Sequence, residues 1–507
     1  MRNSLLICVF GLFASPALAD GRPLSAIDWL SRSIEESAAL PVSPAPRGAR
    51  PAPISRLPTE VTTRPLRPPE PETTGLVAAA DLGLPADLWG VSTAEEIAAG
   101  MGQIPADLPW SARDLLRRVV ISRQASPAQG DMGDLLLQAR IDTLLRFGAL
   151  DEARLLLGTR PPDNPALFRR WFDIALLTGA ETEACRYLAE LPDLSPTYPA
   201  RIFCLARNGD WQVAALTLGT AESLGILTPD EDALLARFLD PELFETVPPR
   251  PRQMTPLIYR LFEAAGERLP TATLPLAFAH ADLAPILGWK TRLEASERLA
   301  RAGVLSPGAL FEVYAERKSA ASGGVWDRVS DVARLNTRLS NGSARAADYS
   351  KAYRRMEAAG LGAVFAQAYR ALPEAPETDA ERRDLLRISA AQGRRIIPGR
   401  YLRPGNRDDL FLAAVALGDP STAPAPSALG RAVADGFRRA EFDGTLSDLA
   451  AVDRQGRALL LALQWIAEAR SGDPDRLGEA IWYLRSLGLE ETARRIALDL
   501  LLGAQTT

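Results

Sequence analysis

The chain of 507 residues is poor in nearly every side chain that performs chemistry. It has one histidine, His280, so a Ser-His-Asp triad would have to use that residue, and no Gly-x-Ser-x-Gly turn accompanies it. It has three cysteines, Cys8, Cys185 and Cys204, too few beside one histidine for a zinc site. No Gly-x-x-x-x-Gly-Lys loop or Gly-x-Gly-x-x-Gly turn is present to cradle a nucleotide. No catalytic residue, metal or cofactor is therefore expected, and a small-molecule ligand is not expected either. Lysine is almost missing, with only Lys290, Lys318 and Lys351. Arginine carries the rest of the positive charge, which reads as a habit of GC-rich coding. The net charge of −5 is small, and arginines and acids are interspersed, so no basic stripe invites nucleic acid. Alternating β-branched runs are scarce, which argues against a sheet. No run approaches the 20 or so apolar residues of a membrane span.

What is present begins with an export signal. Arg2 is followed by an apolar stretch over residues 5–13 and by Ala17-Leu18-Ala19, so cleavage is expected between Ala19 and Asp20. The periplasm is the expected destination. Cys185 and Cys204 then sit in an oxidising compartment, equally far from the break at residues 191–197 between two helices. In an antiparallel pair they would face each other, and a disulfide is expected between them.

Residues 20–40 read as a short docking helix. Leu24, Ile27, Leu30 and Ile34 recur at spacings of three and four, with Trp29 beside them. Either this helix lies in a partner's groove, or it folds back and caps an exposed end of its own chain. Residues 41–75 form a proline-rich linker, with ten prolines between Pro41 and Thr74, and are expected to be disordered.

From Leu76 onward the pattern is helical. Apolar helix ends are followed by a glycine, a short turn and an acidic, Ala-rich start at Gly148, Gly179, Gly209 and Gly488. The first three are 31 and 30 residues apart, the period of a helix-turn-helix repeat. Trp171, Phe172, Phe203 and Trp211 are expected to fill the space between stacked pairs. A proline-rich break at residues 242–254 divides a first block, 76–245, from a second, 246–507. Residues 456–470 and 477–502 read as two closing amphipathic helices.

Gly148 with Ala153, Gly179 with Ala184 and Gly488 with Ala493 resemble the punctuation of degenerate tetratricopeptide repeats. The resemblance covers about 90 residues and the C-terminal pair, and the repeat family's Trp-Leu-Gly-Tyr signature is missing. It implies an all-α fold, a right-handed superhelical array of antiparallel helix pairs whose first helices line a concave surface. Export, length and degenerate repeats also resemble periplasmic helical-repeat proteins of alphaproteobacteria that act on the flagellar motor. Gly100-Met101-Gly102-Gln103 is similar to a motif of lytic transglycosylases, but the proline-rich segment lies where that family's catalytic Glu-Ser pair belongs.

The expected function is a non-enzymatic periplasmic scaffold that binds other envelope proteins through the solenoid and the docking helix. An accessory protein of the flagellar motor is one concrete alternative. The others are a cell-wall hydrolase and a periplasmic chaperone.

Overall fold

The computed structural model describes residues 74–127, 134–160, 162–242, 249–319 and 321–504. The export signal, the Leu24–Ile34 stripe and all but the end of the proline-rich segment lie outside the described residues.

The described chain is all-α, with twenty-two α-helices and two strands of two residues each, Val77–Ala78 and Ser122–Arg123, paired in parallel. In chain order the helices begin with α1 (Ala94–Gly102), α2 (Trp110–Ile121), α3 (Leu135–Arg146), α4 (Leu150–Leu157), α5 (Pro165–Thr178), α6 (Glu181–Glu190), α7 (Tyr198–Arg207), α8 (Trp211–Ser223), α9 (Pro229–Leu239) and α10 (Pro256–Ala264). They continue with α11 (Trp289–Arg301), α12 (Pro307–Ala315), α13 (Val325–Ser340), α14 (Ala346–Glu357), α15 (Gly362–Ala368) and α16 (Asp379–Ala391). The last six are α17 (Arg407–Leu417), α18 (Ala428–Arg438), α19 (Thr445–Ala451), α20 (Gln455–Arg470), α21 (Leu477–Ser486) and α22 (Glu490–Ala504).

Local chemistry sets many of these boundaries. Asn164-Pro165, Thr228-Pro229, Thr255-Pro256 and Ser306-Pro307 each put a capping oxygen just before a proline. The cap accepts an N–H of the first turn, and proline at the first helical position has no N–H to satisfy. Thr93 and Glu96 close a reciprocal capping box on α1. Gly148, Gly179, Gly209 and Gly488 have φ of 74°, 78°, 94° and 79°, the left-handed turn that ends one helix and starts the next. Gly488 also divides the stretch 477–502, expected as one helix, into α21 and α22.

Sequential helices pack as neighbouring pairs, compatible with a solenoid. One apolar core runs from Ala79 to Leu502, and α9 packs on α10 across the break at 242–254. The two ends of the array then meet. α20 packs on α1, and α22 packs on α2. The Val91 N–H donates to the Asp453 carbonyl at 3.0 Å, and the Gly456 N–H to that of Leu88 at 2.6 Å. Glu96 accepts from Arg454 at 2.8 Å and from Arg457 at 3.0 Å. Contacts follow a closed circuit, from α3 through α5, the 3₁₀ segment Leu276–Leu283, α11, α12, α15, α16 and α22 to α2 and back.

The arginines have structural work in this arrangement. Arg140, 2% exposed, donates to the carbonyls of Val120, Thr74 and Ser122 at 2.5, 2.7 and 2.7 Å. Arg146 takes the carbonyls of Met101 and Gly102, which finish α1. Arg494 reaches those of Ala416 and Gly393, and Arg387 that of Leu502. The last carbonyls of a helix lack intrahelical donors, and a guanidinium fork satisfies several from a neighbouring element.

Candidate interaction surface

Two places stand out, and their chemistry differs. The first is a cavity of about 960 Å³ within the circuit of helices, bordered by α2, α12, α16 and α22. Trp110 and Phe311 give it aromatic walls, and Asp114, Arg118, Glu491, Arg495 and Asp499 give it charge. These charges are engaged with protein. Arg118 binds Asp114 and the Thr492 hydroxyl, and Arg495 donates to Glu491 at 2.9 Å. Asp499 accepts the Ser111 N–H at 2.7 Å. Desolvation pushes Asp499 up to about 6, against the pull of that hydrogen bond. Arginines on the same helix hold Glu491 below the usual carboxylate range, against a desolvation that pushes the other way.

The second place is α8. Its core side is made of Ala214, Leu218 and Ala221, and the two alanines let it sit close on α7. The rest of the helix faces solvent and carries large apolar side chains between Gln212 and Glu222. Trp211 is 49% exposed, Val213 49%, Leu216 72% and, just past the helix, Leu224 62%. No charged residue occurs between Asp210 and Glu222. The hydroxyls along the helix do not restore polarity. Thr217 donates to the Val213 carbonyl at 2.7 Å, Thr220 to that of Leu216 at 2.8 Å and Ser223 to that of Gly219 at 2.7 Å. Each is bonded back into its own helix, which leaves the threonine methyls to line the outer face. Contiguous exposed apolar side chains on a folded protein mark interaction sites.

Neighbouring pairs hold α8 in position. Cys185 on α6 and Cys204 on α7 are joined by a disulfide, with their Cα atoms 4.8 Å apart. Phe203 stacks on Phe238 of α9 at 5.5 Å, and Trp211 leans on Phe238 at 6.0 Å. Trp211 was expected between stacked pairs like Phe172 and Phe203. It has one face on the core and one in water, because it opens α8 at the turn after Gly209. This cluster of exposed apolar side chains lies on the second helix of a pair, where the repeat pattern points to first helices.

The other sequence candidates are structural. His280 Nε2 lies 2.7 Å from the Gly148 carbonyl, which fixes that nitrogen as the donor, and burial lowers its pKa. It pins the 3₁₀ segment to the α3–α4 turn. Met101 is fully buried in the core, within the stretch similar to the transglycosylase motif. Leu24, Ile27, Trp29, Leu30 and Ile34 lie outside the described residues. Among the described residues no three His, Cys, Asp or Glu side chains cluster to hold a metal, and no helix is long and apolar enough to cross a membrane. Comparison with protein-family models, curated proteins and solved structures gives no match to this chain.

Proposed function

We propose that this protein is an exported, non-enzymatic scaffold of the bacterial envelope, built from degenerate tetratricopeptide-like helix pairs. It holds other envelope proteins, and α8 is its partner surface. The observation that supports this reading is the solvated apolar face of α8, with Leu216 at its centre. Such a face resembles the groove-binding side of an amphipathic helix, where anchors recur one turn apart. Fully burying a leucine is worth about 1.5–3 kcal/mol, so Leu216 alone can change an affinity tenfold or more.

The test is a paired capture from periplasm and solubilised envelope, with the mature chain and with Leu216→Glu. A protein retained by the first and lost by the second supports the reading. The same proteins held equally by both overturn it.

The hydrolase reading has one observation in its favour, the desolvated Asp499 at the cavity wall. Asp114, Glu491 and Asp499 all accept protein hydrogen bonds, which leaves them poorly placed for acid–base work on a glycan. Release of soluble fragments from peptidoglycan by the mature chain, abolished by Asp499→Asn, would favour the hydrolase over the scaffold.

A further inference from the structure

We propose that the cavity inside the circuit of helices binds a small organic carboxylate with an apolar body. The site goes beyond the scaffold reading and is independent of it, since no residue of α8 lines the cavity.

The volume of about 960 Å³ lies within the range of sites that take small ligands, about 300–1,000 Å³. Small residues keep it open, and one of them has no structural reason to be small. Gly83 and Gly488 hold left-handed turns, with φ of 71° and 79°. Gly308, in the first turn of α12, has no such φ. A Cβ there would meet only the Ser306 Oγ, at 3.9 Å. Glycine weakens a helix, and neither backbone nor packing requires it at this position. What its missing side chain preserves is space in the cavity.

The charges that line this space are unevenly used. Asp114 is paired with Arg117 and Arg118, and Glu491 with Arg494 and Arg495. Asp499 accepts the Ser111 N–H. Each acid is thus satisfied by protein, and the donors left over are arginines. Arg495 gives only its Nε–H to Glu491, and its terminal N–H groups make no hydrogen bond to a described residue. The Arg370 guanidinium has neither a hydrogen bond nor an ion pair among the described residues. Both side chains are exposed, so the cavity meets water at their end. More positive charge gathers there. Arg394 donates to the Arg370 carbonyl at 2.5 Å, and Arg494 to that of Gly393 at 2.6 Å. Arg395 lies 3.7 Å from Glu491.

A guanidinium fork matches the two oxygens of a carboxylate. Trp110 and Phe311 line the same cavity and offer ring surface to an apolar group. Free arginine donors and aromatic walls in one cavity select a ligand that is anionic at one end and apolar at the other.

The experiment is a fluorescence titration of the mature chain with 1-anilinonaphthalene-8-sulfonate, an aromatic anion. It is repeated in Leu216→Glu, because the dye also takes to exposed apolar side chains. Saturable one-to-one binding that survives Leu216→Glu is expected. Arg370→Gln with Arg495→Gln should weaken it at least tenfold. The exposed pair Arg186→Gln with Arg431→Gln, which removes the same charge elsewhere, should change it less than twofold. Gly308→Leu fills the cavity without touching a charge and should also weaken binding at least tenfold. Urea midpoints like that of the parent chain show that each variant is folded. Decanoate should displace the dye, and decanol at the same concentration should not. A signal lost entirely in Leu216→Glu places the dye on α8 and overturns the cavity site. Equal affinity in the parent, the Arg370 and Arg495 variant and Gly308→Leu overturns it too, and equal displacement by decanol overturns the carboxylate. None of these results bears on whether α8 holds a partner, which the capture experiment decides.

Discussion

Closure of the helix array can be tested with one methyl group. Gly456 sits in the first turn of α20, where its N–H donates to the Leu88 carbonyl. A Cβ there would lie 2.7 Å from the Leu88 oxygen and closer still to the Trp89 ring. Leu88 and Trp89 are 0% and 2% exposed, so neither can step aside into water. In an isolated helix Gly→Ala would stabilise by about 1 kcal/mol. Here overpacking costs about 1–3 kcal/mol, and displacing the Leu88 carbonyl weakens a hydrogen bond worth about 1 kcal/mol. The net expectation for Gly456→Ala is a loss of about 2 kcal/mol at the seam. Gly219 is the control, since it lies within exposed α8 and a Cβ there meets nothing within 4 Å. Gly219→Ala should stabilise by about 0.5–1 kcal/mol. Hydrogen exchange of the Val91 amide reads the seam directly, because its acceptor is Asp453 across the closure. A loss of 2 kcal/mol accelerates that exchange about 30-fold. Unchanged exchange at Val91 in Gly456→Ala, or the same sign for both substitutions in urea unfolding, would refute the reasoning.

Two further outcomes follow from the buried polar groups. Arg140→Met removes the donor from three carbonyls around the end of α2, and at about 1–3 kcal/mol for each orphaned acceptor it should cost about 3–9 kcal/mol; a urea midpoint indistinguishable from wild type would show that those carbonyls find other partners. Asp499 has a folded pKa of about 6, above its ordinary value near 3.8, so the folded state binds its proton more tightly than the unfolded state. Its contribution to stability therefore falls as pH rises from about 4 to 6, and returns as pH is lowered. Asp499→Asn keeps an acceptor for the Ser111 N–H and should flatten that part of the profile, and an unchanged difference between urea midpoints at pH 7 and pH 4.5 would exclude the effect.

The features legible in the sequence are those that act over a few residues. A left-handed glycine, a capping oxygen before proline and an acid in the first turn are local, and they mark helix ends wherever they occur. The pairing of Cys185 with Cys204 was expected because both flank one short break. The arginines were not legible. Arg140 and Arg494 differ in no sequence property from arginines on the surface, and only the tertiary fold brings foreign carbonyls to their forks. Closure was not legible for the same reason, since Glu96 meets Arg454 across 358 positions. The α8 surface left a trace that was misread. Its charge-free run looks like a core helix, and Trp211 looks like a core knob, because periodicity reports apolarity and not what covers it.

Closure changes what the ends of the array need. An open array of helix pairs leaves an apolar face at each end, and such ends need polar caps. Here α1 and α2 cover α20 and α22, and the buried Leu88, Trp89, Leu459 and Leu463 show both ends spent on each other. An end cap is therefore redundant. A cluster of apolar side chains stays in water on α8, a second helix whose core side is already packed through Ala214, Leu218 and Ala221.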